Sequence, residues 1–378
     1  MTIAEEMMRW VQGASQPLRE LAAPAGGTGV SPMSGIGRGV EPSLEGILPP
    51  REFGDLSEPP QEPLAPPIQI NPPEAVVRFL HSQMNADGGF RGRGRASDLY
   101  YTVFALQGLA GLDACFPHHK LAEYLECFGI GEDLDLVHLC CLVRAWWLQS
   151  ALVSARSENR VVADSTGVSP SFVSPNPLSD STRQAMVQGL EAFRTSDGGY
   201  AINRGGTASV HAAFLALGAY QDFEQTLPHY DALARSVRAM QTPQGGFAGE
   251  ASAPAASTPA TAAAITLLRH LGRDVPQPAV SWLLDRICHG GGFTAFDGSS
   301  ECDLQSTATA LHAIHEASLG RRLQEQVQAR LEAQRDANLE FVGSVWQQPS
   351  GGFFGRPSDN TPDAEYTFYG LLALGHLA

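Results

Sequence analysis

Four aspartates, Asp98, Asp135, Asp303 and Asp363, stand at the heads of apolar, helix-forming runs in this chain. An aspartate at that place is a helix N-cap, its carboxylate accepting from the first free backbone N–H groups. Gathered at one mouth of a closed fold, the four would do more. Crowded carboxylates raise one another's pKa, so that one keeps a proton and acts as an acid, or together they hold a divalent cation. Asp98, Asp135, Asp303 and Asp363 are therefore the candidate catalytic residues. Arg91, Arg93 and Arg95 punctuate a glycine-rich stretch just before Asp98, where guanidinium groups and exposed amides favour an anion. Tyr101 and Trp146, with Tyr100, Trp147, Phe214, Phe368 and Tyr369, fall on the apolar runs; most should pack a core and some should face an apolar pocket. His138, His312 and His315 are lone histidines on the same kind of run, and a hydrogen-bonded core position is the ordinary explanation for each.

The element that must position these residues is a repeated turn and helix. Gly351-Gly352-Phe353 is followed eleven residues after Gly352 by Asp363 and then by an apolar run to Leu377. Paired glycines suit a tight, partly left-handed turn, and the aromatic can tuck into a core. The unit recurs at Gly88-Gly89-Phe90, Gly198-Gly199-Tyr200, Gly245-Gly246-Phe247 and Gly291-Gly292-Phe293, the last four aromatics being 47, 46 and 60 residues apart. That is the period of a repeat architecture. Each unit reads as an amphipathic outer helix, a turn and a nearly all-apolar inner helix, which two concentric layers require. A second pair with a degenerate Gly129-Ile130-Gly131 turn brings the number to six. The last inner helix has no polar capping repeat after it, so the array should close on itself. The expected fold is all-α, an (α/α)6 toroid over residues 74–378, with a surface insertion at about 154–178. Residues 1–73 are dense in Pro, Gly and Ser apart from a short helical pattern near Ile3 to Val11, and are expected to form a disordered leader.

Composition narrows the partners. With 25 basic against 40 acidic residues and a net charge of -15, the chain lacks the clustered Lys and Arg that nucleic-acid binding rests on. No secretory signal pattern opens it and no long uncharged apolar run could span a bilayer, so a soluble cytoplasmic protein is expected. The six cysteines show no CxxC spacing and are expected to be small buried hydrophobes rather than a disulfide framework.

The Gly-Gly-aromatic units, and above all GGFFGRPSDNTPDAEYTFYGLLAL at 351–374, resemble the prenyltransferase and squalene-oxidase-type repeat family. The likeness is strongest to protein prenyltransferase β subunits of the geranylgeranyl type, and squalene-hopene cyclase-type terpene cyclases share the wider superfamily. The resemblance implies a central apolar cavity for an isoprenoid or other lipid chain, and a helical partner subunit. It also implies a zinc ion held by an Asp-x-Cys pair on one inner helix and by a His three residues after the Asp of the last. Here those places read Asp303, Gln305 and Tyr366, a degenerate site. Zinc is expected only if Cys302 or His138 substitutes, and otherwise no cofactor and no ready alkylation of a cysteine. Where the family resembles Val-Arg-Ser-Ala-Tyr this chain has Val210-His211-Ala212-Ala213-Phe214, so His211 and Tyr366 join Tyr101, Trp146, Arg91 and Arg93 as candidate substrate-binding residues. The cyclases' Asp-x-Asp-Asp acid has its nearest counterpart in Asp133-Leu134-Asp135, with Leu136 in the last place. The expected function is a prenyltransferase-like toroid handling an isoprenoid chain, with a terpene-cyclase-like enzyme or a non-catalytic scaffold as alternatives.

Overall fold

The computed structural model describes residues 1–22, 71–163, 178–317 and 321–378. One local device builds most of it. Gly351 has φ +88°, and a Cβ there would lie 2.2 Å from the carbonyl oxygen of Ala75; Gly88, at φ +94°, would meet that of Lys120 at 2.1 Å. Glycine is needed both for the left-handed backbone and for the approach of the next outer helix. The aromatics after the glycine pairs, Phe90, Tyr200, Phe247, Phe293 and Phe353, are fully buried. Four of their backbone N–H groups, those of Phe90, Phe247, Phe293 and Phe353, donate to the hydroxyls of Thr102, Thr261, Thr307 and Thr367 at 2.8 to 3.2 Å. Each threonine stands four residues after a helix cap, so every such turn is pinned to its own inner helix.

In chain order the helices are α1 (Ile3–Gly13), α2 (Ser15–Ala22), α3 (Pro72–Ser82), α4 (Leu99–Gly111), α5 (His118–Glu126), α6 (Leu136–Ala163), α7 (Asp180–Gly189), α8 (Val210–Asp222), α9 (Tyr230–Arg238), α10 (Thr258–His270), α11 (Gln277–Leu284), α12 (Leu304–Glu316), α13 (Arg321–Ala333), α14 (Arg335–Ser344) and α15 (Ala364–His376). The inner helices α4, α6, α8, α10, α12 and α15 each pack on the next, and α15 returns to α4. The toroid is thus closed, as the repeats predict. Inner-helix N-termini gather at one mouth, where each neighbouring repeat helps hold them: the backbone N–H groups of Leu136, Val210, Thr258 and Leu304 donate to carbonyls of Ile202, Gly249, Ala295 and Gly355.

The opposite end, which we call the floor, corrects the expected leader. Residues 3–22 are helical, and α1 lies against α15, α4 and α8. Thr2 and Glu5 form a capping box that starts it, and Ile3, Ala4 and Val11 are buried beneath it. Gly375 permits the contact, because a Cβ there would sit 1.8 Å from the carbonyl oxygen of Trp10. The physical reason for the difference is that an isolated amphipathic helix is marginal in water but stable when its apolar face is covered. Residues 23–70 of the expected leader lie outside the described residues. The first residues of the expected insertion at 154–178 continue α6, which runs to Ala163; residues 164–177 lie outside the described residues. The cysteine expectation holds for buried Cys140 and Cys141 but not for Cys115 and Cys127, which are exposed, nor for Cys288 and Cys302, which form a disulfide. The turn between α11 and α12 folds strands β1 (Phe293–Thr294) and β2 (Cys302–Asp303) together, a juxtaposition that residue spacing does not announce.

Candidate functional site

The inner helices enter the mouth in register, so residues at equal distance from each helix start form layers. One residue after the start stand Tyr100, His211, Pro259 and Gln305, all lining an axial cavity. Four and five residues after it come Val103, Phe104, Phe214, Leu215, Phe368 and Tyr369, an apolar and aromatic belt. Met7 of α1 reaches the same cavity from the floor. The cavity is partly open to solvent and encloses about 130 Å³, a narrow slot below the roughly 300 Å³ at the low end of ligand pockets. Phe104 meets Phe368 and Tyr369 at ring-centroid distances of 5.4 and 5.5 Å, so part of the wall is already packed aromatic surface.

The aspartates cap their helices as predicted. Asp98 accepts from the N–H of Tyr100, Asp303 from that of Ser306, Asp363 from that of Tyr366, and Asp135 from that of His138. Ser209 and Ser257 complete the ring of caps; a reading keyed to carboxylates misses them. Two of the aspartates share His138, whose Nδ1 lies 2.8 Å from Asp135 and whose Nε2 lies 3.7 Å from Asp98. Asp98 is the larger upward pull on the imidazole, opposed by burial and helped by Asp135, and the pKa reaches about 9. At 3.7 Å the Asp98 contact is an ion pair rather than a hydrogen bond, and Asp135 fixes the ring.

Across the mouth, burial raises the carboxyls of Asp303 and Asp363 above the usual range. Arg93 donates through Nε to Asp363 at 2.9 Å and through its terminal nitrogens to Asp359, and lies over the Tyr366 ring. Arg93 is therefore committed to carboxylates, whereas Arg91 and Arg95 on the same loop make no ion pair among the described residues. Gly92 lets that loop lie against the Tyr101 ring. Glu365, which sequence reasoning did not single out, accepts from Tyr100 Oη at 2.6 Å. Burial raises it to about 6, against the downward effect of that hydrogen bond. His211 is exposed and lines the cavity, and desolvation by the surrounding protein lowers its pKa. Trp146 and Tyr101 do not border the cavity; Trp146 is buried in the packing between helices.

The three places that the resemblance assigns to zinc stand at the starts of the adjacent helices α12 and α15, but their donors do not fit the ion. Asp303 is engaged by the N–H and hydroxyl of Ser306, Gln305 donates to Tyr369 Oη at 3.3 Å, and Tyr366 presents a phenol whose pKa burial raises. Cys302 is bonded to Cys288. Zinc needs deprotonated thiolate, imidazole or carboxylate ligands converging, and no group of three His, Cys, Asp or Glu side chains among the described residues offers that.

The family description that fits the chain is a prenyltransferase alpha-alpha toroid domain, matched over residues 64–135 and 168–378. The chain belongs to that family. A search of curated proteins returned no match. Among solved structures, this toroid is similar to the Candida albicans protein geranylgeranyltransferase-I complexed with GGPP, at 14% identity and a TM-score of 0.53, covering 81% of this chain and 90% of that one. It is also similar to the type II terpene cyclase MstE from Scytonema, at 18% identity and a TM-score of 0.52, covering 81% and 96%. A variant of that cyclase in complex with geranylgeranyl dihydroxybenzoate gives 17% identity and 0.51, covering 81% and 95%. At such identities the likeness concerns the prenyltransferase toroid fold alone. No helix among the described residues is long and apolar enough to cross a membrane.

Proposed function

We propose that this prenyltransferase-family toroid binds an isoprenoid chain along its axis and does not alkylate protein thiols. The observation that carries the reading is the axial cavity, whose middle belt is apolar and aromatic and whose far end is closed by α1. Each methylene taken from water into such a belt contributes about 0.8 kcal/mol. The solved neighbours named above hold GGPP and a geranylgeranyl dihydroxybenzoate, which supports an isoprenoid as the occupant. Thiol alkylation needs an activated thiolate, and Gln305 and Tyr366 supply no ligand for a metal that would activate one. In this reading no metal resides at those places.

A second reading, an acid-assisted isoprenoid cyclase, has one specific observation in its favour. Glu365 stands beside the cavity with a pKa of about 6 and a hydrogen bond from cavity-lining Tyr100. A carboxyl so raised keeps part of its proton near neutrality and can deliver it to a bound substrate.

The test is titration of a fluorescent geranylgeranyl analogue into wild-type protein and into Ala263→Trp, which fills the belt. Ala105 and Ala310, attractive from the sequence because they lie on inner helices, are unsuitable, since both are wholly buried outside the cavity. Saturable binding to wild type that is lost in Ala263→Trp is expected. No binding above a straight-chain alkyl control carrying the same fluorophore would replace the isoprenoid reading with that of a scaffold. Turnover of a prenylated substrate that vanishes in Glu365→Gln while binding persists would decide for the cyclase.

A further inference from the structure

The cavity is not apolar to its end. Eight residues after the first residue of their helices stand Gln107 on α4, Arg144 on α6, Thr266 on α10 and His312 on α12, all four lining the cavity. Polar side chains in the middle of otherwise apolar inner helices cost stability unless they are satisfied. Arg144 is partly satisfied: its Nε donates to the buried carboxylate of Asp222. Its terminal nitrogens have no protein acceptor among the described residues. Space for them is built in, because the residue at the same level of α8 is Gly218, where a Cβ would come within 2.8 Å of Arg144 Nη2. Gln107 is 3% exposed, and its Nε2 has no hydrogen-bond partner among the described residues. His312 is turned to other work, with Nδ1 3.2 Å from His376 and Nε2 3.5 Å from Glu6.

Two adjacent inner helices therefore present unpartnered N–H donors at one depth, at the closed end of an apolar slot. The guanidinium edge calls for acceptor oxygens, and beside an amide that can both donate and accept it suits two oxygens on one carbon. The charge of the other end points the same way. Asp98, Asp135, Asp303, Asp363 and Glu365 crowd the mouth, and the Arg93 guanidinium there is already bound by two carboxylates. At the mouth an anionic head would meet these carboxylates together with His138, Arg91 and Arg95, whereas at the floor it meets the free edge of Arg144 at the closed end of an apolar slot. We propose that the cavity takes its ligand acid-end first, and that the ligand is an isoprenoid carboxylate held at the floor by Arg144 and Gln107. This rests on the isoprenoid reading and names the substrate class for the same cavity.

The experiment displaces the fluorescent geranylgeranyl analogue from the full chain with three competitors: geranylgeranoic acid, its methyl ester and geranylgeranyl diphosphate. A charge-assisted hydrogen bond lost with the ester corresponds to about tenfold or more in affinity. The acid should compete at least that much better than the ester in wild type. Arg144→Met made together with Asp222→Asn, so that no buried carboxylate is left unpaired, should bring the acid down to the ester while leaving the ester unchanged. Gln107→Leu, which removes the second donor without touching the ion pair, should give a smaller loss in the same direction. Equal competition by acid and ester in wild type, or strongest competition by the diphosphate, overturns the acid-first proposal and leaves the isoprenoid reading standing. Failure of the analogue itself to bind overturns both.

Discussion

The two ends of this toroid solve the same problem, the ends of six apolar helices, in opposite ways. At the mouth the helix N-termini meet solvent and are capped by Asp98, Asp135, Ser209, Ser257, Asp303 and Asp363, so negative charge collects where helix dipoles favour it. At the floor the C-termini are covered by α1, and the charge is buried. Glu6, wholly inaccessible, lies against Arg269, His270 and His312. Burial alone would raise its pKa, but hydrogen bonds from His270 and Arg269 and the nearby His312 outweigh that and hold it at about 2. Trp10 extends the seal, donating to Glu316 at 2.7 Å and packing on His376 with ring centroids 4.1 Å apart. The comparison teaches that openness at one end depends on a dedicated cover at the other. An axial cavity open at both ends would be a water-filled channel, not a slot for a chain.

The largest effect should follow from removing the cover. Deletion of residues 1–22 exposes the lower cavity and the pockets of Ile3, Val11 and Leu18. At 1.5 to 3 kcal/mol for each such side chain, the loss is roughly 5 kcal/mol or more, comparable with the whole stability of many domains. A thermal melt should show a large drop or no cooperative transition; an unchanged melt would mean the two ends do not differ as described. Gly375→Ala is the milder version. Its methyl group cannot coexist with the Trp10 carbonyl, so α1 should lift, which limited proteolysis between α1 and α2 would detect with the ring itself still folded.

Acid and base should then separate the two ends. At the floor, Glu6 has its folded pKa at about 2 against 4.5 unfolded. Its contribution is present above pH 4.5 and is lost as pH falls through 2. Burial first, and nearby positive charge after it, take His312 down to about 4 from 6.5, so stability also declines as pH falls from 6.5 toward 4. At the mouth, His138 is raised from 6.5 to about 9; its contribution is complete below pH 6.5 and is lost as pH rises through 9. Melting curves against pH should therefore lose the part of their acid limb below pH 4.5 in Glu6→Gln, the His312 decline above it remaining, and flatten on the alkaline side in His138→Gln. The alkaline effect should be the smaller, because His138 is partly exposed. Identical profiles for the two variants would erase the distinction.

Smaller still is the effect of Tyr100→Phe. Its hydroxyl favours ionised Glu365, so removing it should move the Glu365 titration above 6, as carboxyl-labelled NMR would read. No movement would mean the mouth carboxyl is set by burial alone. Metal analysis after metal-free purification is the last check, with no stoichiometric zinc expected; one zinc per chain lost in Asp303→Ala would restore a transferase mouth.

Much of the mouth was legible because its signals are local. A cap aspartate, a glycine pair and an aromatic act within one turn and its helix, and so leave their spacing in the chain. Glu365 was not legible: its neighbours Asp363 and Tyr366 carry recognisable positions, but only the return of α15 to α4 brings Tyr100 to its carboxyl. Gln107 and Arg144 could have been noticed as polar residues inside apolar runs. Nothing local says that they stand at one depth on neighbouring helices, or that Gly218 makes room for the guanidinium.

By itself, then, the sequence determined the repeat, the helix boundaries within a few residues, the layering of inner and outer helices, and the four aspartate caps. All of these depend on interactions between residues close in the chain, for which spacing is the geometry. Tertiary structure decided which side chains face the axis, that Cys288 and Cys302 join, and that α1 closes the floor. Those outcomes depend on contacts between distant segments: Glu6 with Arg269, His270 and His312, and Ile3 with the side chain of Gln221. Their strength comes from excluding water at a place that exists only once the ring has closed.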